Sequence, residues 1–578
     1  MLTSHPPVGA TGTEDRPTPV VDSPGPLAPA VDPETLASDA VAVVARWLTT
    51  AHGDETSTER RLADRMRGII DDPIGVGFTM RFVDRVARHR SNTLAADQLA
   101  RLVADGDLPG FLGRVDRLLL RLGARLAPVL PQLVMPLARR RLRGLVGHLV
   151  VDAAPGSVHA HLARRRLEGY TLNVNLLGEA VLGEAEASRR FERTLALVED
   201  PEVDYVSVKV SAIASQLNLW AFDHTLTRVK DRLRILYQRA AVAPAPTGRP
   251  TFVNLDMEEH RDLELTLRAF TELLDEPDLR DVDAGIVLQA YLPDAFGALQ
   301  RITAWAGPRK DAGGGEVKVR LVKGANLAME RVDAALHGWV QAPYDTKAEV
   351  DANYKRCVDW ALRPVHTRAV RIGLASHNLF DVAWAHLLAE ARGVADRVEF
   401  EMLQGMVPAQ ARTVLDDTGE LLLYTPIVGR RDFDVAVSYL FRRLEENSSD
   451  QNFLRHLFSL RPGTPEFDEQ ARLFRAAVAG RWDLADLPRR ETERPPSGDG
   501  LFRNHPDTDP TLPATRAWVA SVSARPFEPA HTPVTTTVEA LDAEVAMARR
   551  AQESWGSRSA VERCDVLRRV ADELVARH

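Results

Sequence analysis

The chain has 578 residues, of which 45% are hydrophobic and 27% are charged, and its formal net charge is -8. This length predicts more than one folded unit, and the negative balance excludes nucleic acid as the main partner of the whole chain. Only two cysteines occur, Cys357 and Cys564, so neither a disulfide framework nor a cysteine-rich metal site is available, and no metal is expected.

Residues 1–33 are rich in Pro, Gly, Thr and Asp and contain little to bury, so they are predicted to form a disordered tail. The start, M-L-T-S-H-P-P-V-G-A, lacks the basic-then-apolar order of a secretory signal. No run of eighteen uninterrupted apolar residues follows. We therefore expect a cytoplasmic protein without a membrane-spanning segment.

Residues 34–160 have a helical pattern, with Leu, Val and Ile recurring at spacings of three and four, and they are predicted to form an all-helical arm. Within the arm, the stretch from Arg114 to Arg143 contains eight arginines and one acid, Asp116. Such a stretch would suit an anionic surface. Apolar stripes with arginine rims also occur where an arm packs on a neighbouring domain, and that alternative is favoured.

From Tyr170 onwards, short β-rich segments alternate with helical stretches. The eight segments are T-L-N-V-N-L-L, Y-V-S-V-K-V, T-F-V-N-L, G-I-V-L-Q-A-Y, V-K-V-R-L-V, R-I-G-L-A, V-E-F-E-M-L and L-L-L-Y-T-P. Eight strand and helix pairs predict an α/β fold, a (β/α)8 TIM-like barrel over residues 165–460, with its active site at the carboxyl ends of the strands. The alternative is a doubly wound open sheet, which would place its ligand only at the switch point.

Polar residues follow nearly every predicted strand, which favours the barrel over the open sheet. In chain order they are Asn175 with Glu179, Lys209, Asp256, Gln289 with Tyr291, Arg320 with Lys323 and Gly324, His377 with Asn378, Gln404, and Tyr424. Each one alone has a structural explanation: Glu179 as a helix cap, Lys209 as a solvated strand end, and His377 as a satisfied buried histidine. Together they predict a ligand site at the mouth of the barrel.

The segment S-Y-L-F-R-R-L-E-E-N, beginning at Ser438, places Tyr439, Arg442, Arg443 and Glu446 on one face of a predicted helix. Arginine offers a planar fork of donors that matches a carboxylate, so two adjacent arginines beside a phenol would hold a small acid in a fixed orientation. Taken alone, paired arginines on a helix are usually solvated. The strand-end residues favour the ligand site.

After the barrel we predict a helical segment and a linker over residues 461–500, rich in Pro and Arg near its end. Residues 501–578 contain two amphipathic helical patterns. In the second pattern, Leu567, Val570 and Leu574 form an apolar face that has no partner in the remaining sequence. We therefore expect the chain to be a fragment of something longer.

Seven motifs together resemble the proline dehydrogenase barrel, in the form found in bacterial bifunctional proline utilisation A proteins. The motifs are N-L-L-G-E-A-V-L-G from Asn175, V-K-V-S-A from Val208, N-L-D-M-E from Asn254, L-Q-A-Y from Leu288, V-R-L-V-K-G-A from Val319, S-H-N from Ser376, and Y-L-F-R-R-L-E-E-N from Tyr439. The resemblance covers the region from about Tyr170 to Leu454. It implies FAD-dependent oxidation of L-proline to 1-pyrroline-5-carboxylate, with hydride transfer to the flavin.

The resemblance also implies roles for individual residues. Arg442, Arg443 and Lys209 would hold the proline carboxylate, and Tyr439 and Leu403 would wall the ring. The catalytic residues would be Arg320, Tyr424, Asp256 and Lys209. For the cofactor, the implied contacts are Met257, Gln289, Arg320, Lys323, Gly324, Ala325, Ser376, His377, Asn378 and Glu446. One departure is Leu327, where many bacterial relatives carry an aromatic residue, so stacking on the cofactor at this position is in doubt.

The segment from Phe502 resembles the opening of an aldehyde dehydrogenase domain. In this family that domain oxidises glutamate γ-semialdehyde with NAD, and the rest of it, including a G-x-G-x-x-G fingerprint, does not follow. The family further implies a quinone as electron acceptor and hence peripheral contact with the inner face of the membrane. Two alternatives remain: Lys209 could form a Schiff base as in aldolases, and the arm could be an interaction module.

Overall fold

The structure is a computed structural model that describes most of the chain. The described residues are 32–87, 89, 91–104, 106, 108–146, 149–178, 181–243, 248–429, 456, 458–485, 487–490, 506–526 and 537–576. Residues 1–31 of the predicted tail and the segment with Tyr439, Arg442, Arg443 and Glu446 lie outside these residues, whereas Pro33 already begins the first helix. The chain divides into two compact units, Met1–Arg516 and Ala517–His578.

The region before the barrel is helical. Its helices are Pro33–Gly53, Ser57–Asp71, Pro73–Phe82, Val83–Ala87, which is a π-helix, Asn92–Ala104, Arg114–Leu126, Pro131–Val146 and Pro155–Leu167. The first helix packs on the barrel, because Val44, Trp47 and Leu48 are buried in the main core. The indole of Trp47 donates to Asp417 Oδ2 at 2.7 Å. The helices from Pro73 to Val146 form a second, smaller core around Leu99 and Met135.

Nine parallel strands form one sheet. The strands are β1 Val151–Asp152, β2 Thr171–Leu176, β3 Tyr205–Lys209, β4 Phe252–Asp256, β5 Ala284–Gln289, β6 Val317–Val322, β7 Val370–Ala375, β8 Val398–Leu403 and β9 Leu422–Val428. Strands β2 to β9 pair in chain order, and β9 pairs with both β8 and β2, so eight strands close into a barrel. The short β1 adds to the carboxyl end of β9.

This closed barrel confirms the predicted (β/α)8 fold, and each of its eight strands coincides with a predicted segment. The α-helices between the strands are Glu184–Val198, Val210–Ile213, Phe222–Val242, Leu263–Leu274, Asp294–Asp311, Leu327–His337, Lys347–Ala361, Pro364–Thr367, Leu379–Ala391 and Pro408–Thr418. Short 3-10 turns lie at Leu219–Ala221, His260–Asp262, Pro277–Leu279 and Ala395–Arg397. Buried Val, Ile and Leu side chains join strands and helices into one core, as the strand composition predicts.

The interior of the barrel is unusually polar. Buried polar side chains on its strands include Asn173, Ser207, Asn254, Lys318, Arg320, Glu399 and Glu401. Such groups are tolerated in a core only when they pair with one another, because burying an unpaired charge is costly. Several of the pairs they form reach the mouth of the barrel.

The described residues after the barrel are helical. The helices are Pro465–Ala479, Gly480–Trp482, which is a 3-10 turn, Pro513–Ser523, Val538–Gly556 and Ala560–Ala576. Helix Pro465–Ala479 packs Phe467 and Phe474 on Phe380, with ring centroids 5.4 and 5.6 Å apart. In the last helix, Leu567, Val570 and Leu574 are exposed. Across the described part of the chain, no helix is both long enough and apolar enough to cross a bilayer.

Candidate active site

A cavity of about 300 Å³ opens at the carboxyl ends of the barrel strands. The thirteen candidate site residues that the structure describes all line it: Lys209, Asp256, Met257, Gln289, Arg320, Lys323, Gly324, Ala325, Ser376, His377, Asn378, Leu403 and Tyr424. The remaining four, Tyr439, Arg442, Arg443 and Glu446, lie outside the described residues. Parallel strands of a barrel end at one rim, so residues scattered over more than 200 positions meet in one place.

We name the two parts of the cavity by their cations. The arginine end contains Lys209, Asp256, Arg320, Leu403 and Tyr424. The lysine end contains Lys323, Lys347, Ser376, His377 and Asn378.

Arg320 is the centre of the arginine end and is only 2% exposed. Its Nη1 donates to Asp256 Oδ1 at 3.0 Å, and its Nη2 donates to the Tyr205 hydroxyl at 3.1 Å. Its Nε lies 2.5 Å from Glu401 Oε2, as an ion pair. Burial alone would lower the pKa of Arg320, but Glu401 and its other partners outweigh burial and raise that pKa above the ordinary value. Arg320 is therefore a permanent positive charge at the floor of the cavity.

Asp256 gathers hydrogen bonds from several strands. It accepts from Arg320, from the Ser207 hydroxyl at 3.0 Å and from Asn254 Nδ2 at 3.0 Å. The Tyr424 hydroxyl donates to its other oxygen at 2.9 Å. A carboxylate with this many donors is fixed in place, so it also fixes Tyr424 and Arg320 relative to each other.

Lys209 forms an ion pair with Glu258 Oε1, and both side chains line the cavity. Met402 and Leu403, from the end of β8, and Val287, from β5, provide apolar surface between the polar groups. Among the described residues, the arginine end and the charges behind it comprise four carboxylates and three cations. The carboxylates are Asp256, Glu258, Glu399 and Glu401, and the cations are Lys209, Lys318 and Arg320.

The lysine end has the opposite balance of charge. Lys323 Nζ lies 2.6 Å from Asp351 and 2.7 Å from Asp381. Lys347 also pairs with Asp351, and Lys355 with Asp381, so three lysines share two carboxylates. Burial lowers the pKa of Lys347, and the positive charge of Lys323 lowers it further. This cluster is ready to accept an anion.

Two backbone features complete the lysine end. Asn378 caps the helix Leu379–Ala391, its side chain accepting from the Phe380 amide at 3.1 Å, so the positive end of a helix dipole points to this part of the cavity. Gly324 has a φ of +114°, and a Cβ there would lie 2.5 Å from the Tyr291 ring. Only glycine fits this close approach to Tyr291, so Gly324 fixes the path of the loop that lines the cavity.

Gln289 lies between the two ends and is 4% exposed. Its Nε2 donates to the Met257 carbonyl at 2.9 Å. Its Oε1 accepts no hydrogen bond from any residue that the structure describes. An unsatisfied buried acceptor that lines a cavity is suited to a ligand donor.

Two residues predicted for the polar ring lie elsewhere. Tyr291 is buried and does not line the cavity, and its single hydroxyl proton is shared between the Glu258 carbonyl and Glu330 Oε1, each 3.2 Å away. Gln404 is also buried and does not line the cavity. The structure therefore does not bring these two residues into the lining of the cavity. Glu179 is outside the described residues, and Leu327 packs against the core.

Sequence reasoning missed four polar residues of the cavity. They are Glu258, Asn326, Lys347 and Glu401. Glu258 and Asn326 are close to predicted residues, and a wider window at the strand ends would have included them. Lys347 follows a long loop, and Glu401 lies inside a strand, so neither is at a predicted strand end.

Residues 158–456 match the family model described as "Proline dehydrogenase". The proline dehydrogenase of Deinococcus radiodurans is 27% identical over 328 residues, which are 56% of this chain and 92% of that protein. Human mitochondrial proline dehydrogenase 1 is 33% identical over 175 residues, which are 28% of this chain and 26% of that protein.

Solved structures of proline utilisation A (PutA) proteins share the fold. The protein from Corynebacterium freiburgense has 45% identity and a TM-score of 0.61, over 76% of this chain and 41% of that one. The protein from Bdellovibrio bacteriovorus, inactivated by N-propargylglycine, has 27% identity and a TM-score of 0.68, over 85% of this chain and 49% of that one. This chain thus spans less than half of either solved chain. Because the family model matches more than half of its residues, this chain belongs to the proline dehydrogenase family.

Proposed function

We propose that this protein oxidises L-proline to 1-pyrroline-5-carboxylate, with FAD as the bound hydride acceptor. The observation that carries the proposal is the single cavity that unites thirteen candidate residues at the rim of a proline dehydrogenase barrel. Its two ends differ in charge, as a site for a zwitterion beside a phosphate-bearing cofactor requires.

The cavity fits a flavin dinucleotide in two respects. Lys323 and Lys347, with the helix end at Asn378, suit a diphosphate. The free acceptor Oε1 of Gln289 suits a ring N–H. When bound, FAD would supply an isoalloxazine ring that takes up a hydride. Arg320 would stabilise the negative charge that the ring gains.

Proline would bind at the arginine end. Its ammonium group would lie by Glu258, and the apolar ring would contact Leu403, Met402 and Tyr424. Carboxylates already exceed cations here among the described residues, so a substrate carboxylate needs positive charge beyond Lys209. The sequence offers Arg442 and Arg443, outside the described residues, for that role. Holding the acid at one end fixes the C–H bond next to nitrogen towards the acceptor.

The Schiff-base alternative is not favoured. An aldolase lysine must be a neutral amine to attack a carbonyl. Here Lys209 is an ion-pair partner of Glu258, and an ammonium group held by a carboxylate is not a nucleophile. Membership of the proline dehydrogenase family points in the same direction.

Anaerobic titration of the purified protein with L-proline tests the proposal. We expect the protein to carry flavin and L-proline to bleach its visible absorption, while D-proline does not. The Schiff-base mechanism instead predicts that borohydride traps the substrate covalently on Lys209. A colourless protein, or a flavin band that proline leaves unchanged, would contradict the proposal.

We further propose that the electrons leave to a membrane quinone and that the arm provides the membrane contact. In helix Arg114–Leu126, five apolar side chains at spacings of three, four, seven and eleven are each at least 42% exposed: Val115, Leu118, Leu119, Leu122 and Leu126. The opposite face holds buried Ala124. Exposed Arg121 and Arg125 flank the stripe and form no ion pair with a described residue. An apolar stripe beside arginines is typical of a helix lying on an anionic bilayer.

Vesicle co-sedimentation checks the membrane proposal. Leu122→Glu is expected to reduce binding to vesicles with anionic phospholipid and to leave proline oxidation with a soluble acceptor unchanged. Leu167→Glu is the control, because Leu167 is 90% exposed but lies outside the stripe. Equal binding of both variants, or binding to neutral vesicles alone, would contradict the proposal.

We also propose that the parent protein is bifunctional, with an NAD-dependent glutamate γ-semialdehyde dehydrogenase activity that this chain carries only in part. The resemblance of the segment from Phe502 to an aldehyde dehydrogenase supports this, as does the similarity to proline utilisation A structures. The last helix exposes Leu567, Val570 and Leu574, an apolar surface of the kind that packs against another protein surface. No reduction of NAD by the semialdehyde is expected from this chain alone.

A further inference from the structure

Side chains of β6 and β8 meet inside the barrel across the strand that separates them. Glu401 on β8 lies 2.5 Å from Arg320 Nε and 2.7 Å from Lys318 Nζ, both on β6. Strand β7 lies between β6 and β8, and its residue at this level is Gly373, which pairs in register with Arg320. A Cβ at Gly373 would lie 2.6 Å from Lys318 Cε and would overlap the Glu401 carboxylate. The missing side chain therefore provides the space for the ion pairs.

Glu401 is a buried carboxylate beside the cation of the arginine end. It is 2% exposed and lines the cavity. Burial opposes its ionisation, but Arg320 and Lys318 outweigh burial and keep the pKa of Glu401 below its ordinary value. Glu401 is thus ionised at neutral pH and offsets part of the charge of Arg320.

We propose that Glu401 is a positioning residue that acts through Arg320 and sets how much positive charge Arg320 presents to the bound flavin. This inference rests on the proposed function. The negative charge that the flavin gains on reduction is stabilised by Arg320 and opposed by Glu401. Removing the Glu401 charge makes the floor of the cavity more positive, so the flavin becomes easier to reduce.

Strand β8 offers a matched control in Glu399. It is also buried and also pairs with Lys318, but it does not line the cavity and makes no ion pair with Arg320. Glu401→Gln and Glu399→Gln each remove one carboxylate beside Lys318 with little change in shape. A purely structural role predicts the same result for both, namely lower stability. A role at the flavin predicts that they differ.

The experiment measures the flavin midpoint potential and the thermal stability of both variants. We expect both proteins to be less stable than wild type, and only Glu401→Gln to have a more positive potential. An unchanged or more negative potential in Glu401→Gln, or an equal shift in both variants, overturns the inference.

The experiment remains decisive if Glu401→Gln does not fold or if the wild-type protein binds no flavin. If Glu401→Gln does not fold, Glu401→Asp replaces it, because aspartate keeps a negative charge but withdraws it from both Arg320 and Lys318 by one methylene. A smaller positive shift is expected there, and no shift overturns the inference. A wild-type protein that takes up no flavin contradicts the proposed function and this inference with it, whereas a normal wild type with an unshifted Glu401→Gln contradicts the inference alone.

Discussion

The two ends of the cavity use buried charge in different ways. At the arginine end, each cation already has a carboxylate partner, and Arg320 has two, Asp256 and Glu401. At the lysine end, three lysines share Asp351 and Asp381, which leaves a positive excess. A pre-paired cation is held in place and tunes chemistry, whereas an excess of cations attracts an anion. The difference predicts that damage to the arginine end affects the rate, and damage to the lysine end affects cofactor binding.

Arg320→Met, at the arginine end, is expected to cause the largest loss of activity. Loss of the cation removes the charge that stabilises the reduced flavin and leaves Asp256 and Glu401 without their shared partner. We expect kcat/KM for proline to fall by about 100-fold to 1,000-fold, the range found when a single charge-stabilising donor is removed from an active site. Stopped-flow measurement of flavin reduction by proline gives the result.

Arg320→Lys is the control for this variant. It keeps the charge but loses the fork that contacts Asp256, Glu401 and Tyr205 at once, so an intermediate rate is expected. If Arg320→Met reduced flavin at the wild-type rate, the arginine end would not be the redox end.

Lys347→Met tests whether the lysine end of the cavity binds the cofactor. Loss of one charged donor should weaken FAD binding by about tenfold or more, and leave the affinity for riboflavin, which has no phosphate, nearly unchanged. Fluorescence titration of the apoprotein with each flavin measures both. Lys310→Met, which removes a lysine with a half-exposed side chain, is the matched control. Equal losses for FAD and riboflavin would place the phosphates elsewhere.

A smaller effect is expected from pH. The pKa of Lys347 is lowered by burial and by Lys323, so Lys347 loses its proton below the ordinary value of 10.5. The protonated amine is the form that attracts a phosphate, so FAD affinity should fall as the pH rises through the lowered pKa. The pKa of Lys323 is raised, because Asp351 and Asp381 outweigh its burial, and it stays charged in this range. Titrations between neutral and alkaline pH should show the fall in wild type and a flatter profile in Lys347→Met.

The barrel was predictable because each strand carries its own signal. Runs such as V-K-V-R-L-V and V-E-F-E-M-L are short, β-branched or apolar, and spaced for a strand and helix alternation. Most polar residues at the ends of these runs meet at one rim, so much of the cavity lining followed from the strand assignments, with Gln404 as an exception.

The rest depends on three-dimensional packing. Lys347 is the first residue of the helix Lys347–Ala361, which begins after a long loop. No local sequence pattern predicts that its side chain reaches the cavity. From the sequence, Glu401 and Lys318 look like solvent-facing residues, because alternating polar and apolar residues usually indicate a strand with one solvent-exposed face. The two patterns K-V-R and E-F-E are complementary in charge, and pairing them would have been the one signal for the buried network. Predicting the network also requires knowing that Gly373, on the strand between β6 and β8, has no side chain to occupy the space of the ion pairs.

A crystal structure of the protein with FAD and a proline-like acid bound tests the central claim most directly. We predict that the isoalloxazine ring lies beside Arg320 and Gln289, that the diphosphate contacts Lys323 and Lys347, and that the acid lies between Lys209 and Leu403. A flavin bound in the reverse direction, with its phosphates at Arg320, or a cofactor outside this cavity, would contradict the account.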